Sequence, residues 1–261
     1  MTTNTSQGDR TAPARGLHGQ VALVTGGSQG IGRAIAGTLA EAGADIVLNH
    51  HGARPGAVEE VSRLVRAAGH EILIIEADVS SRAAVTAMVA RAIGEFGRID
   101  ILVNNAGIAP ECPLHELSED IWDRVLAVNL KGQYLLCQAV VPHMQASGYG
   151  RIINIGSEQG LIGAAGLTAY CASKAGVFGF TKALARELAP AGVLVNCVAP
   201  GPVDTALLAE RDRTRELTGR IPLGRIGRPE EIAFAVLFLA SPETSWTTGQ
   251  IHSPNGGVVM Q

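Results

Sequence analysis

The stretch Val21-Ala22-Leu23-Val24-Thr25-Gly26-Gly27-Ser28-Gln29-Gly30-Ile31-Gly32 decides the fold. A short apolar run ends at a cluster of glycines, and a helical pattern begins directly behind them. Glycines permit the sharp turn and let a ligand approach the backbone closely. A helix that starts at such a turn offers N–H groups to a pyrophosphate, and the hydroxyl of Ser28 can add to them. The order of strand, glycine loop and helix therefore predicts a nucleotide-binding α/β unit.

The same alternation of apolar runs and helical segments continues along the chain. The predicted strands are Val21–Thr25, Ala44–Leu48, Ile72–Glu76, Ile101–Asn104, Arg151–Ile155 and Val193–Val198. The predicted helices are Ile31–Ala42, Ala57–Ala68, Arg82–Phe96, Glu119–Met144 and Ala169–Leu188. Because the strands are apolar on both faces, the pattern predicts a parallel sheet with helices on both faces. Ligands of such sheets bind at the carboxyl ends of the strands.

Length and composition fit one large domain. The chain has 261 residues, of which 46% are hydrophobic and 17% charged, and 32 are glycine. This balance excludes disorder as the main state and suits a buried sheet with many tight turns. With 21 basic and 24 acidic side chains the net charge is −3, which gives no reason to expect binding to nucleic acid or to an acidic partner.

The N-terminal residues and the cysteines indicate where in the cell the protein is expected. Residues 1–17 are expected to form a disordered N-terminal segment, with the domain over residues 18–261. The segment lacks the apolar centre of a secretory signal. The sequence contains no run of about 18 apolar residues, so no membrane span is predicted. The four cysteines lie far apart in sequence, which favours reduced thiols over disulfides or a zinc site, and no metal site is predicted. We therefore expect a soluble, cytoplasmic protein.

Tyr170 and Lys174 are four residues apart in a predicted helix, so their side chains lie on one face. An ammonium beside a phenol favours the ionised phenol, which can exchange a proton with a carbonyl or alcohol oxygen. Ser157 follows the fifth predicted strand, and its hydroxyl can polarise a substrate oxygen, although a serine considered in isolation there is more often a turn or N-cap residue. Asn129 lies inside a long predicted helix, where it is either a buried polar contact or part of a relay.

The glycine spacing G-x-x-x-G-x-G, combined with Asn129, Ser157, Tyr170 and Lys174, resembles the short-chain dehydrogenase/reductase family from Gln20 onward. The resemblance implies a single Rossmann-type, doubly wound domain that uses a nicotinamide dinucleotide. It also implies that these four residues act together as the catalytic set. The expected reaction is hydride transfer between the nicotinamide and a ketone or secondary alcohol of small size.

The resemblance further implies which residues contact the cofactor. Asp78 and Val79 would meet the adenine, and the Pro-Gly turn after the sixth strand would meet the nicotinamide. The hydroxyl of Thr205 would contact the carboxamide, although a helix N-cap is an alternative role. The complete expected set is Gly26, Ser28, Gln29, Gly30, Ile31, Gly32, His50, His51, Asp78, Val79, Asn105, Ala106, Gly107, Tyr170, Lys174, Pro200, Gly201, Val203 and Thr205.

The end of the second strand determines the choice between NAD and NADP. An acidic side chain there would accept from the ribose 2′-hydroxyl, whereas a cation would pair with a 2′-phosphate. The segment from Asn49 to Arg54 contains no acid. His51 and Arg54 could pair with the phosphate, and His50 could stack on the adenine. Gln29 argues in the other direction, because many NADP-using relatives carry an arginine there. The sequence favours NADP(H) over NAD(H).

The C-terminal residues 248–260 resemble those of 3-oxoacyl-acyl-carrier-protein reductases, so a 3-oxoacyl thioester is the first expected substrate. Such reductases often dock their carrier through arginines, at positions that Leu135 and Ala191 occupy here. A sugar or polyol dehydrogenase is the alternative, with Glu158 and Gln159 as polar groups beside Ser157. A cofactor-sensing regulator without catalysis is a third possibility, but such proteins typically lack the tyrosine or the lysine.

Two further expectations concern architecture. Residues of about 203–227 follow the Pro-Gly turn and are rich in both arginine and acidic residues. They are expected to form a substrate lid, although mixed charge is also typical of a solvated helix face. The resemblance also implies a homotetramer, paired through the long helices around Asn129 and Tyr170 and through the C-terminal strand.

Overall fold

The computed structural model describes residues 16–205 and 218–260, and its centre is one parallel sheet. The strands are β1 (Val21–Val24), β2 (Asp45–His50), β3 (Ile72–Glu76), β4 (Ile101–Asn104), β5 (Gly150–Ile155), β6 (Val193–Val198) and β7 (Ile251–His252). They pair in the order β3-β2-β1-β4-β5-β6-β7, and every neighbouring pair is parallel. The order reverses direction between β1 and β4, which confirms the predicted doubly wound, Rossmann-type fold.

Helices cover both faces of the sheet. They are α1 (Gly30–Glu41), α2 (Ala57–Ala67), α3 (Arg82–Phe96), α4 (Glu119–Leu126), α5 (Gly132–Ser147), α6 (Gln159–Ile162), α7 (Thr168–Leu188) and α8 (Pro229–Ala240). One buried apolar cluster joins the sheet to α1, α2 and α8, and a second joins it to α3, α5 and α7. No helix within the described residues is both long and apolar enough to cross a membrane.

The helices differ from the prediction in three places, the smallest of which is the four-residue helix α6, which was not predicted. The predicted helix Glu119–Met144 is present, but Ala127–Lys131 form a π-helical turn between α4 and α5. Such a turn widens the helix locally and changes which residues face the sheet, which apolar spacing does not reveal. Helix α8 was not predicted, because its sequence is apolar on nearly every side and lacks the alternation of a surface helix.

The start of the domain lies earlier than predicted. Leu17, which we expected in the N-terminal segment, is buried in the core, and its N–H donates to the Ala42 carbonyl at 2.7 Å. Gly16 is also described, and residues 1–15 of the predicted segment lie outside the described residues.

The expected lid is only partly described, because residues 206–217 fall outside the described ranges. Its two ends are joined by backbone hydrogen bonds. Asp204 N–H donates to the Gly227 carbonyl at 2.9 Å, and Gly227 N–H donates to the Pro202 carbonyl at 3.0 Å. Both ends of the segment are therefore held at the carboxyl end of β6.

Candidate active site

The glycine loop between β1 and α1 is held by the loop after β4. Thr25 Oγ1 accepts hydrogen bonds from the backbone N–H groups of Asn105 and Ala106, at 3.0 and 3.1 Å. Asn105 Nδ2 donates in return to the carbonyls of Thr25 and Gly26, at 2.8 and 3.1 Å. A Cβ on Gly32 would stand 2.3 Å from the Gly26 carbonyl oxygen, so only glycine fits there. These contacts fix the shape of the loop.

The N-terminus of α1 fits the pyrophosphate of a dinucleotide. Gln29 occupies the N-cap position, but its side chain makes no capping hydrogen bond, and the first turn of α1 has no acidic residue. The first N–H groups of a helix lack partners within that helix, so here they are available to a phosphate. Gly26 and Gly30 adopt positive φ angles of 61° and 52°, which side chains disfavour.

A cavity of about 750 Å³ lies beside this loop, at the carboxyl ends of the strands. Its walls bring together most of the residues that the sequence predicted. These are Gly26, Ser28, Gln29, Gly30, Ile31, Gly32, His51, Asp78, Val79, Asn105, Ala106, Gly107, Ser157, Tyr170, Lys174, Pro200, Gly201, Val203 and Thr205. Of the predicted site residues, His50 and Asn129 are not part of these walls.

His50 is the last residue of β2, and it does not line the cavity. Asn49 and His51 both line the cavity, and side chains of consecutive strand residues point to opposite faces. The Nδ1 atom of His50 is buried without a hydrogen-bond partner. The expected stacking of His50 on the adenine therefore finds no support in its position. Arg54 is also engaged elsewhere, since it lies 2.9 Å from Glu60.

Tyr170 and Lys174 lie on α7, and both line the cavity. Lys174 is buried, and its Nζ donates to the Ile155 carbonyl at 2.7 Å, at the end of β5. The same Nζ lies 5.6 Å from the centre of the Tyr170 ring. Burial lowers the pKa of the Lys174 ammonium to about 8. Lys174 can therefore change its charge close to neutral pH.

Ser157 lines the cavity and also caps a turn, so both roles considered for it are compatible. Its Oγ accepts the N–H of Gln159 at 3.2 Å, which leaves the hydroxyl hydrogen to another acceptor.

Asn129 lies in the π-helical turn and is completely buried. Its Oδ1 accepts from Ile108 N–H at 2.9 Å, and its Nδ2 donates to the Ile108 carbonyl at 2.9 Å and to Ser173 Oγ at 3.1 Å. A Cβ on Gly107 would stand 3.4 Å from Asn129 Oδ1 and 3.6 Å from Lys174 Nζ. Asn129 thus joins the loop after β4 to α7, directly behind the cavity.

A family model described as enoyl-(acyl carrier protein) reductase matches residues 26–259. The chain belongs to the short-chain dehydrogenase/reductase family. It is 46% identical to the BbsD subunit of a hydroxy(phenyl)methylsuccinyl-CoA dehydrogenase from Thauera aromatica, over 93% of this chain and 97% of the relative. It is 43% identical to cis-4-hydroxycyclohexanecarboxylate dehydrogenase from Sinomonas cyclohexanicum, over 91% and 96%. It is 44% identical to a 3-oxoacyl-acyl-carrier-protein reductase from Vibrio harveyi, over 94% and 99%.

This membership confirms the reaction class predicted from the motifs. The protein is an NAD(P)-dependent oxidoreductase of CH–OH groups, similar to 3-oxoacyl reductases, and it uses a nicotinamide cofactor and a small-molecule substrate.

The oxidoreductase has one cavity residue at the adenine end that the sequence did not reveal. Arg124 on α4 donates to Asp78 Oδ2 at 2.9 Å and to Ser80 Oγ at 2.7 Å. Burial alone would raise the pKa of Asp78, but hydrogen bonds from Ser80 and Arg124 lower it overall. Arg124 and Asp78 are 46 positions apart, so no local pattern could have paired them.

The same cavity has further lining residues that the sequence did not reveal. They are mostly apolar and come from four separate stretches of the chain: Ile108, Ala109, Glu111, Ile162, Leu167, Arg220, Ile221 and Val258. None of them belongs to a recognisable motif. Only the folded arrangement brings them to the same place.

Proposed function

We propose that the enzyme reduces the ketone of a 3-oxoacyl thioester or a similar small oxo acid derivative, with Tyr170 as its acid–base group. The placement of Ser157, Tyr170 and Lys174 in one cavity, together with a glycine loop suited to a dinucleotide, carries the proposal. Tyr170 donates its phenolic proton to the substrate oxygen, and Ser157 donates a hydrogen bond to the same oxygen. The Lys174 ammonium favours the phenolate that Tyr170 then becomes. A bound nicotinamide would supply the hydride.

Asn129 acts in this proposal as a positioning residue. Its three hydrogen bonds hold Ile108 and Ser173, and thereby hold the cavity wall against the helix that carries Tyr170 and Lys174. Pro200, Gly201, Val203 and Thr205 hold the nicotinamide end of the cofactor, and the glycine loop holds the phosphates.

Apolar walls near Ser157 support an acyl or alicyclic substrate over a sugar. Ile108, Leu167 and Ile221 provide such walls. The three named relatives act on a CoA thioester, a hydroxycyclohexane carboxylate and a 3-oxoacyl-acyl-carrier-protein, respectively. Leu135 and Ala191 are uncharged, so neither offers a cation to an acidic carrier protein, and Leu135 is also buried. A free thioester such as an acyl-CoA is therefore preferred here to a carrier-bound one.

A sugar or polyol remains the second candidate, because Gln159 lines the cavity and its Oε1 atom is buried without a partner. A substrate hydroxyl could satisfy that oxygen. The third possibility, a regulator without catalysis, is disfavoured because Tyr170 and Lys174 are both present.

NADPH is the preferred cofactor in this proposal. His51 lines the cavity where the adenosine ribose would lie, and no acid stands between Asn49 and Arg54. Arg33 and Arg54 are both paired with Glu60, at 3.2 and 2.9 Å, and neither lines the cavity. The preference therefore rests on His51 and on the absence of an acidic residue from Asn49 to Arg54.

A cytoplasmic location and a lid over about 203–227 also belong to the proposal. The four cysteines, all in the described part of the chain, are free thiols, which suits a reducing compartment. Arg220 and Ile221, which belong to the described part of the expected lid, line the cavity.

The test is a substrate screen with purified protein. Acetoacetyl-CoA, simple diketones, cyclic oxo acids and common sugars would each be offered with NADPH and with NADH, and consumption of the reduced cofactor would be followed by absorbance. We expect turnover of acetoacetyl-CoA to exceed that of every sugar. Activity confined to sugars and polyols would replace the proposal with its alternative, and no activity with any carbonyl would favour the regulator.

A further inference from the structure

Glu158 is buried beneath the turn that follows β6. The residue is 4% exposed, and its backbone N–H donates to the Pro200 carbonyl at 3.0 Å. Glu158 Oε2 lies 3.0 Å from the point where a Cβ on Gly201 would stand, and that point is 2.7 Å from Asn255 Cα. The carboxyl group therefore occupies the space in which the turn Pro200–Gly201 meets the C-terminal segment.

This carboxyl group lacks the partners that a buried charge requires. Oε2 is buried without a hydrogen bond, and among the described residues no cation forms an ion pair with Glu158. The nearby Asn255 Nδ2 already donates to Ser253 Oγ at 3.0 Å and to the Val259 carbonyl at 2.9 Å. An ionised carboxylate in this place would be costly, whereas a neutral carboxyl group is tolerated.

The charged and titratable groups that line the cavity at the carboxyl ends of the strands do not offset the cost of ionising Glu158. The charged and titratable side chains that line the cavity, besides Glu158, are His51, Asp78, Glu111, Arg124, Tyr170, Lys174 and Arg220. The Lys174 ammonium is directed to the Ile155 carbonyl. The C-terminal residues 253–259 and the turn 199–203 contain no titratable side chain.

We propose that Glu158 is a positioning residue whose neutral carboxyl group supports the turn Pro200–Gly201, and whose ionisation loosens that turn. The consequence for the cofactor rests on the proposed function, in which this turn holds the nicotinamide. Glu158 lines the cavity, but its Oε2 atom is buried against Gly201, so charge on Oε2 is stabilised when the turn moves away from Asn255 and admits water to that atom. Burial raises the pKa of Glu158 to about 7, which brings its ionisation into the working range. Cofactor affinity accordingly falls as the pH rises through about 7.

The first experiment measures NADPH affinity by fluorescence between about pH 6 and 9 for the wild type, Glu158→Gln and the control Glu116→Gln. Glu116 is an exposed carboxylate outside the cavity. We expect the wild-type and Glu116→Gln dissociation constants to rise about tenfold over this range, which corresponds to one unit of difference between the free and bound pKa of Glu158. In Glu158→Gln the NADPH dissociation constant should change less steeply with pH, because only Lys174 and the cofactor phosphate still change their charge. Parallel curves for wild type and Glu158→Gln would overturn the proposal.

A second experiment needs no variant. Backbone hydrogen exchange around Pro200–Val203 would be compared at about pH 6 and 8.5, after correction for intrinsic rates, with strand β4 as the internal reference. Faster corrected exchange of the turn at the higher pH supports the role of Glu158, and unchanged exchange contradicts it. If neither NADPH nor NADH binds at any pH, the proposed function fails, and hydrogen exchange still decides the role of Glu158 at the turn.

Discussion

Lys174 is the residue whose chemistry depends most on its surroundings. Its ammonium is buried and donates a hydrogen bond to the Ile155 carbonyl at 2.7 Å. Burial lowers its pKa to about 8. The folded enzyme therefore holds the charged form below about pH 8 and loses it above. We expect kcat/KM for carbonyl reduction to fall above that pH. The kcat/KM of Glu158→Gln should fall above about pH 8 in the same way, which distinguishes the ionisation of Lys174 from that of Glu158.

Lys174→Arg keeps a positive charge at every pH, but the planar guanidinium does not match the space of an ammonium. We expect a loss of about 10²-fold or more in kcat/KM, as for the loss of a positioned acid–base partner, with no remaining fall near pH 8. Steady-state rates across the pH range provide the measurement. Near-normal activity would mean that any cation suffices at this position.

His51 is the residue on which the cofactor preference depends. We expect NADPH to bind more tightly than NADH, because His51 lines the cavity and no acidic residue lies between Asn49 and Arg54. His51→Asp should reverse the preference, because a carboxylate repels the 2′-phosphate and accepts from the ribose hydroxyl. Dissociation constants of both reduced cofactors, measured for the wild type and for His51→Asp, decide this. Equal affinities of the wild type for NADPH and NADH would contradict the prediction and make Gln29 the better guide.

The glycine loop and α1 act as one element, and its packing makes a sharp prediction. A methyl group on Gly32 would stand 2.3 Å from the Gly26 carbonyl oxygen and 2.5 Å from Asn105 Nδ2, so Gly32→Ala must distort the loop. Overpacking typically costs about 1–3 kcal/mol, and we expect cofactor affinity to fall about 10- to 100-fold. Gly37→Ala, on the same helix, meets nothing within 4 Å and provides the control. Its cofactor affinity should equal that of the wild type, and equal losses in both variants would contradict the account.

Elements were predictable from the sequence where their evidence is local. The strand–loop–helix unit at Val21–Gly32 and the Tyr170–Lys174 spacing need only neighbouring residues, and both are found where expected. The contact between Arg124 and Asp78 depends on how α4 meets the end of β3, which is fixed only after the sheet has formed. The two residues of β7 are too few to show an alternating pattern.

At the scale of the whole molecule, α8 leaves two large apolar side chains exposed. Phe234 is 62% exposed and Phe238 is 55% exposed. We expect the homotetramer implied by the family resemblance to bury them, in addition to the long helices around Asn129 and Tyr170 and the C-terminal strand. Phe234→Glu combined with Phe238→Glu should reduce the mass measured by light scattering, whereas Leu64→Glu on α2, at a residue 50% exposed, should not. A wild-type monomer, or an unchanged mass in the double variant, would contradict this assignment.

The central claim is that this fold reduces a carbonyl with Tyr170 as the proton donor, and a single comparison tests it most directly. NADPH consumption with acetoacetyl-CoA would be measured for the wild type and for Tyr170→Phe, together with the NADPH dissociation constant of each. The substitution removes one hydroxyl and little packing, so the account predicts that turnover is abolished while cofactor affinity stays nearly intact. Retention of most of the wild-type kcat in Tyr170→Phe would contradict it.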